Sequence, residues 1–205
     1  MVIGITGGSG VGTTTAGRIL AREGWDFVDC DEVYHRLLRT DPALRRSLTD
    51  RFGEEILTPE GIVDRRALGR IVFSSPSALA DLNRITHARI LEEVLVLISG
   101  SEKEDLAIEA VELIESGINA LCTAVIGILS ERELRVYRIM IRDAISKADA
   151  QRRIDAQRSD AYYREHCDIC IENNGTQEQL KTAVLAAVDE IRRARLSAPE
   201  GSGNN

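Results

Sequence analysis

Short apolar runs alternate along this chain with stretches whose apolar residues recur at three- and four-residue intervals. The first run, Val2–Thr6, ends in glycines and is followed by a helical pattern from about Thr14 to Glu23, so strand, loop and helix open the fold. A second run, Trp25–Val28, ends in Asp29-Cys30-Asp31 and is expected to form a strand next to the first. Residues 32–100 then read as helices broken around Thr40–Pro42, Phe52–Asp64 and Ser74–Pro76. Within them Leu79, Leu82, Ile85, Ile90, Val94 and Ile98 keep helical spacing, and Ala78–Ile98 is expected to be the longest helix. Strand signals return at Leu106–Ala110 and Ala124–Leu129, arginine-rich helices follow from about Glu131 to Gln157, and the last strand is read at Asp168–Ile171. Thr176 and Gln179 have capping-box spacing and open a helix with Leu180, Val184, Ala187, Val188 and Ile191 on one face. Ser197–Asn205 is rich in Gly, Ser and Asn and is expected to be disordered.

Strands alternating with helices predict an α/β fold: a parallel, doubly wound sheet of five strands with helices on both faces. Residues 32–100 and 131–164 are expected to be excursions from it. The chain of 205 residues suffices for one such core with small insertions.

Composition narrows the function. A net charge of −7 gives no electrostatic case for a nucleic-acid backbone or an anionic membrane. No stretch approaches the roughly 20 apolar residues of a membrane span, and Val2–Thr6 runs straight into the glycine loop without a charged leader, so a cytoplasmic location is expected. Cys30, Cys122, Cys167 and Cys170 make no disulfide framework. Cys167 and Cys170 are read within one strand, where residues three apart face opposite ways, which suits neither zinc nor a dithiol.

The candidate chemistry starts at the glycine loop. Gly7-Gly8-Ser9-Gly10-Val11-Gly12-Thr13-Thr14 has the spacing of a Walker A phosphate loop at every position but one. Glycines let backbone N–H groups turn inward around phosphate oxygens, and the following helix N-terminus, with Thr15 in its first turn, adds a favourable dipole. Thr14 would offer its hydroxyl to Mg²⁺. Thr13 stands where a lysine normally places positive charge on the β- and γ-phosphates of ATP. Only Lys103, Lys147 and Lys181 stand among the 26 basic residues, and Lys147 is the one lysine placed to substitute. A dinucleotide fingerprint is the rival reading; Asp29 and Asp31 partly answer its acidic position, but Thr13 stands where its third glycine belongs. Asp31 itself reads either as a proton acceptor for an attacking hydroxyl or as a helix N-cap.

Several further blocks occur in a fixed order. They are Gly4-Ile-Thr-Gly-Gly, Val28-Asp-Cys-Asp-Glu, Arg51-Phe-Gly-Glu-Glu-Ile-Leu, Asp64-Arg-Arg-Ala-Leu-Gly, Ile85-Thr-His, Glu115-Ser-Gly, Met140-Ile-Arg-Asp and Glu172-Asn-Asn-Gly. With them the chain resembles the dephospho-CoA kinases over about residues 2–192. The resemblance implies a three-layer P-loop fold whose core, residues 1–31, 101–130 and 165–195, binds ATP and Mg²⁺. It implies a helical insertion, residues 32–100, that receives dephospho-CoA, a lid at residues 131–164, and a tail at 196–205. The implied reaction is phosphorylation of the ribose 3′-hydroxyl of dephospho-CoA. Asp31 matches the family's base, Arg142 a lid arginine, Arg65 and Arg66 a basic pair that could meet acceptor phosphates or cap a helix, and His87 an acceptor-side histidine or else a satisfied polar residue of the long helix; most other arginines between Arg132 and Arg164 read as a solvated helix face. The departures are Thr13, Ala88 in place of a proline, and Glu109-Ala-Val-Glu-Leu where the family has Asp-x-Pro-Leu-Leu. They leave open a second outcome, a paralogue that binds dephospho-CoA or nucleotide as a sensor or partner subunit.

Overall fold

The computed structural model of the chain describes residues 1–197. Five strands, β1 (Val2–Thr6), β2 (Asp26–Asp29), β3 (Leu106–Glu109), β4 (Ala124–Leu129) and β5 (Ile169–Glu172), form one parallel sheet in the order β2-β3-β1-β4-β5. Every connection between parallel neighbours must cross a face, and the helices do so on both sides. Helix α1 (Thr13–Arg22) follows the glycine loop. Then come α2 (Cys30–Thr40), α3 (Pro42–Phe52), α4 (Arg65–Val72) and α5 (Pro76–Ser99), the longest helix as expected. Helices α6 (Arg132–Asp143), α7 (Lys147–Asp155) and α8 (Asp160–His166) lie between β4 and β5, and α9 (Gln177–Ser197) closes the chain.

The breaks between helices are start signals. Asp41 and Asp64 accept hydrogen bonds from the first free amides of α3 and α4, and Ser75 from that of α5; Pro42 and Pro76 sit just inside two of these helices, where a missing N–H costs nothing. The capping box forms as read, with Gln179 Oε1 accepting from Thr176 N at 2.8 Å and Thr176 Oγ1 from Gln179 N at 3.3 Å.

The sheet separates two apolar clusters. Ile3, Ile5, Ile126 and Ile128 pack with Leu20 of α1 and Val184 and Val188 of α9. On the other face Val28, Ile108 and Val125 join Leu37, Leu48, Leu68 and Val94, so helices α2–α5 share a continuous core with the sheet. A small third cluster, Val136, Ile139, Ala150 and Ile154, fastens α6 to α7.

Four local expectations need correction. The strand ending in Asp29 lies beside β3 rather than β1; Asp29 is in register with Glu109, so two carboxylates meet at the C-terminal edge of the sheet. The N-cap of α2 is Asp29, whose Oδ1 accepts from the amides of Asp31 and Glu32, and Asp31 is thereby released from capping. Cys167 ends α8 instead of lying in β5, and a methyl group at Gly127 would meet the sulfurs of both Cys167 and Cys170 at 3.0 Å, so the two thiols share one side. Burial pushes Cys167 up to about 12 and also raises Cys170, which keeps both as neutral thiols. Leu196 and Ser197, expected in the tail, belong to α9; the rest of that segment lies outside the described residues. Among the described residues no helix is long and apolar enough to cross a membrane.

Candidate functional site

At the C-terminal edge of the sheet, β1 ends in Thr6 and the chain enters the glycine loop. Gly10 and Gly12 have φ of +82° and +102°, a region costly for any residue with a Cβ. Space forbids one as well: it would meet the Arg135 carbonyl oxygen at 2.9 Å from Gly10, and Asn173 Nδ2 at 2.6 Å from Gly12.

Three side chains turn the loop inside out. Arg135 Nε donates to the Ser9 carbonyl at 3.0 Å, Arg138 Nη1 to that of Gly10 at 3.2 Å, and Asn173 Nδ2 to that of Val11 at 2.7 Å. In a trans peptide the N–H points opposite to the preceding carbonyl. Anchoring the carbonyls of Ser9 and Val11 therefore aims the amides of Gly10 and Gly12 the other way, and among the described residues neither finds a protein acceptor. The amides of Thr13, Thr14 and Thr15 open α1 and have no partner within it by helix geometry. These donors line a concavity suited to phosphate oxygens. Gln157 adds a clasp: its Oε1 accepts from Ser9 N at 2.7 Å and its Nε2 donates to Ser9 Oγ at 3.0 Å.

The side chain of Thr13 turns into the protein and is 8% exposed. Its hydroxyl donates to Glu109 Oε1 at 2.6 Å, and that of Thr14 reaches Oε2 at 3.5 Å. Burial pushes Glu109 up to about 7; the Thr13 hydrogen bond opposes this, and the charges of Asp29 and Asp31 add to it. Oxygen atoms of Thr14 and Glu109 thus stand together beside the amide cradle, a donor set that fits a hard cation such as Mg²⁺.

Next to it opens a cavity of about 380 Å³ lined by Asp31, Tyr34, Arg65, His87 and apolar side chains including Leu68, Leu82 and Ile90. Desolvation raises the pKa of Asp31 and Asp29 adds to it; His35, Arg65 and Arg142 offset the rise. Of the basic pair, Arg65 lines both this cavity and a neighbouring hollow, whereas Arg66 borders that hollow, with Thr58 and Ile62, and is not in the wall of this cavity. Arg142 is bound to Asp143 at 2.7 and 2.9 Å, outside the cavity wall. Lys147 is exposed and donates to Glu133 at 3.1 Å, so in this structure its charge is paired there. The solvated-face reading of the neighbouring arginines fails at Arg135, 4% exposed, and at Arg138, because their guanidinium groups hold the loop. Helical periodicity could have flagged Arg135, which shares a helix face with Ile139, and Asn173 lies in the Glu172-Asn-Asn-Gly block; Gln157 gave no comparable signal.

Known proteins resemble the chain over most of its length. Residues 1–179 match the family model described as dephospho-CoA kinase. A dephospho-CoA kinase of Dehalococcoides mccartyi is 36% identical over 192 residues, covering 92% of this chain and 96% of the relative. Among solved structures, TT1252 from Thermus thermophilus superposes with a TM-score of 0.79 at 29% identity, over 93% of this chain and 97% of that one. A dephospho-CoA kinase from Campylobacter jejuni gives a TM-score of 0.67 at 26% identity, over 95% and 98%.

Proposed function

The chain belongs to the dephospho-CoA kinase family, and from that membership we propose how its residues carry out ATP-dependent phosphorylation of the ribose 3′-hydroxyl of dephospho-CoA, giving coenzyme A. The observation that carries the assignment of roles is the meeting, at one edge of the sheet, of an outward-facing amide cradle and a cavity with Asp31 in its wall.

The loop Gly7–Thr14 together with Thr15 holds the ATP phosphates through backbone N–H groups. Thr14, with Glu109 beside it, would hold Mg²⁺, which would neutralise charge on the phosphate oxygens. Asp31 accepts the proton of the 3′-hydroxyl as its oxygen attacks. Burial raises its basicity above that of an exposed aspartate, which suits it to that transfer. Arg65 and His87 meet the acceptor, and Arg142, once freed from Asp143, balances charge on the transferring group. Helices α2–α5 form the acceptor-binding unit and residues 131–164 the lid, in an enzyme of the cytoplasm. The cations fixed at the phosphate loop are Arg135 and Arg138 rather than a lysine, and they supply positive potential without reaching into the cradle.

A coupled assay with dephospho-CoA and Mg·ATP tests this reading. Formation of 3′-phosphorylated product is expected; folded protein that yields none above the buffer background would overturn it.

A further inference from the structure

Glu112 occupies a position where the family pattern has leucine, and it is the one carboxylate besides Asp31 in the wall of the acceptor cavity. Its side chain is half exposed, but it is tied to α5. His87 Nε2 lies 3.0 Å from its Oε2, and Asn83 Nδ2 donates to the same oxygen at 3.3 Å. Asn83 and His87 are one helical turn apart on α5, and both line the cavity. The hydrogen bond from His87 lowers the pKa of Glu112, burial opposes it, and the charges of His87 and Arg158 lower it further, so the group is an anion at neutral pH.

The cavity wall carries carboxylates at two places: Asp31 in α2, with Arg65 also in the lining, and Glu112, tied to Asn83 and His87 of α5. Apolar residues, Leu68, Leu79, Leu82 and Ile90, line the space with them. A leucine at position 112 would continue that apolar wall. A carboxylate with one oxygen committed to α5 leaves Oε1 free to accept a hydrogen bond, and its charge repels phosphate from that end.

Resting on the kinase reading above, we propose that Glu112 is a specificity-determining residue of the acceptor cavity: it accepts a hydrogen bond from an N–H or O–H donor on the uncharged part of the acceptor and directs the acceptor's phosphates to Arg65. In dephospho-CoA that donor belongs either to the exocyclic amine of the base or to the amides and hydroxyl of the pantetheine arm.

The test compares wild type with Glu112→Leu and Glu112→Gln, by steady-state kinetics and by calorimetric titration of protein saturated with Mg²⁺ and a non-hydrolysable ATP analogue. Glu112→Leu should raise the KM for dephospho-CoA by roughly tenfold, the effect of losing one hydrogen bond to a charged group. The kcat and the KM for ATP should stay within about twofold of wild type; Glu112→Gln, which keeps an acceptor oxygen, should fall between. Titration with AMP identifies the donor: an equal loss for AMP assigns it to the base, and a loss for dephospho-CoA alone assigns it to the arm. A Glu112→Leu protein that binds dephospho-CoA as tightly as wild type would overturn the proposal. So would a double-mutant cycle in which Glu112→Leu costs nothing in a His87→Ala background, because the carboxylate would then act only by holding His87. Wild-type protein that neither binds nor phosphorylates dephospho-CoA would instead sink the kinase reading, so the two failures are distinguishable.

Discussion

The Thr13 hydroxyl donates to Glu109 Oε1 at 2.6 Å, so the residue replacing the phosphate-loop lysine is hydrogen-bonded to the residue replacing the family's aspartate, at the end of β3. The two departures from the family pattern are one local unit. The longer glutamate spans the distance to a short side chain and gives a buried hydroxyl its acceptor. A lysine placed here alone would meet a carboxylate able to pair with it. Thr13→Lys should therefore raise kcat only modestly, by about tenfold, while Thr13→Lys combined with Glu109→Asp should reach about 10²-fold, the range of a restored charge-stabilising group. Steady-state kinetics on both variants decides; equal gains would show that Glu109 does not restrain the lysine.

The same pair makes stability depend on pH. Glu109 titrates at about 7 in the folded protein against 4.5 when unperturbed. Between those values the native state holds a proton that the unfolded chain has released, so stability falls as pH rises through this window and levels off above it. The loss is on the order of 3 kcal/mol. Glu109→Gln removes the titration and should flatten this part of the profile. Denaturant melts of ligand-free protein in chelator, from pH 4.5 to 8, measure it, and an unchanged slope in the variant would refute the assignment.

Asp29 and Asp31 stand two residues apart with separate tasks. Asp29 caps α2 through Oδ1, so Asp29→Ala should cost about 1 kcal/mol of stability. Asp31 caps nothing and lines the acceptor cavity. Asp31→Asn should leave the melting temperature and the dephospho-CoA Kd within a few-fold while lowering kcat by roughly 10²–10⁴. Thermal melts, calorimetry and single-turnover rates on the two variants separate the roles; an active Asp31→Asn enzyme would remove Asp31 as the base.

Much of this was legible because it depends on local signals. The strands, the long α5, the capping box at Thr176 and the loop spacing are written in periodicity and in short motifs. What was not legible depends on which strands become neighbours. The sequence places Asp29 at the end of a strand, but only the order β2-β3-β1 sets it beside Glu109. Likewise the partners of Thr13, Glu112 and Ser9 come from 96, 25 and 148 residues away, distances at which no pattern along the chain speaks. Charge alone predicts a solvated face for most arginines of α6; Arg135 is buried because backbone carbonyls of the glycine loop need donors there.

The loop's donors give the last prediction. Arg138 donates to the carbonyls of Gly10 and Asn173, at 3.2 and 3.1 Å, and Asn173 in turn donates to that of Val11 at 2.7 Å. One guanidinium thus holds the loop directly and also through the segment after β5. Arg138→Ala leaves the Gly10 carbonyl without a side-chain donor and lets the neighbouring peptides rotate, which spoils the orientation of the amides rather than their number. ATP affinity should fall by roughly tenfold, as expected for losing charge-assisted hydrogen bonds that preorganise a site. Dephospho-CoA affinity should be nearly unchanged, since the acceptor cavity does not include Arg138. Arg138→Lys keeps the charge but not the fork that reaches both carbonyls, so it should recover less than half of the lost binding free energy. Calorimetric titration with an ATP analogue gives the outcome; full recovery by lysine would mean that Arg138 acts by charge alone and that loop geometry is set elsewhere.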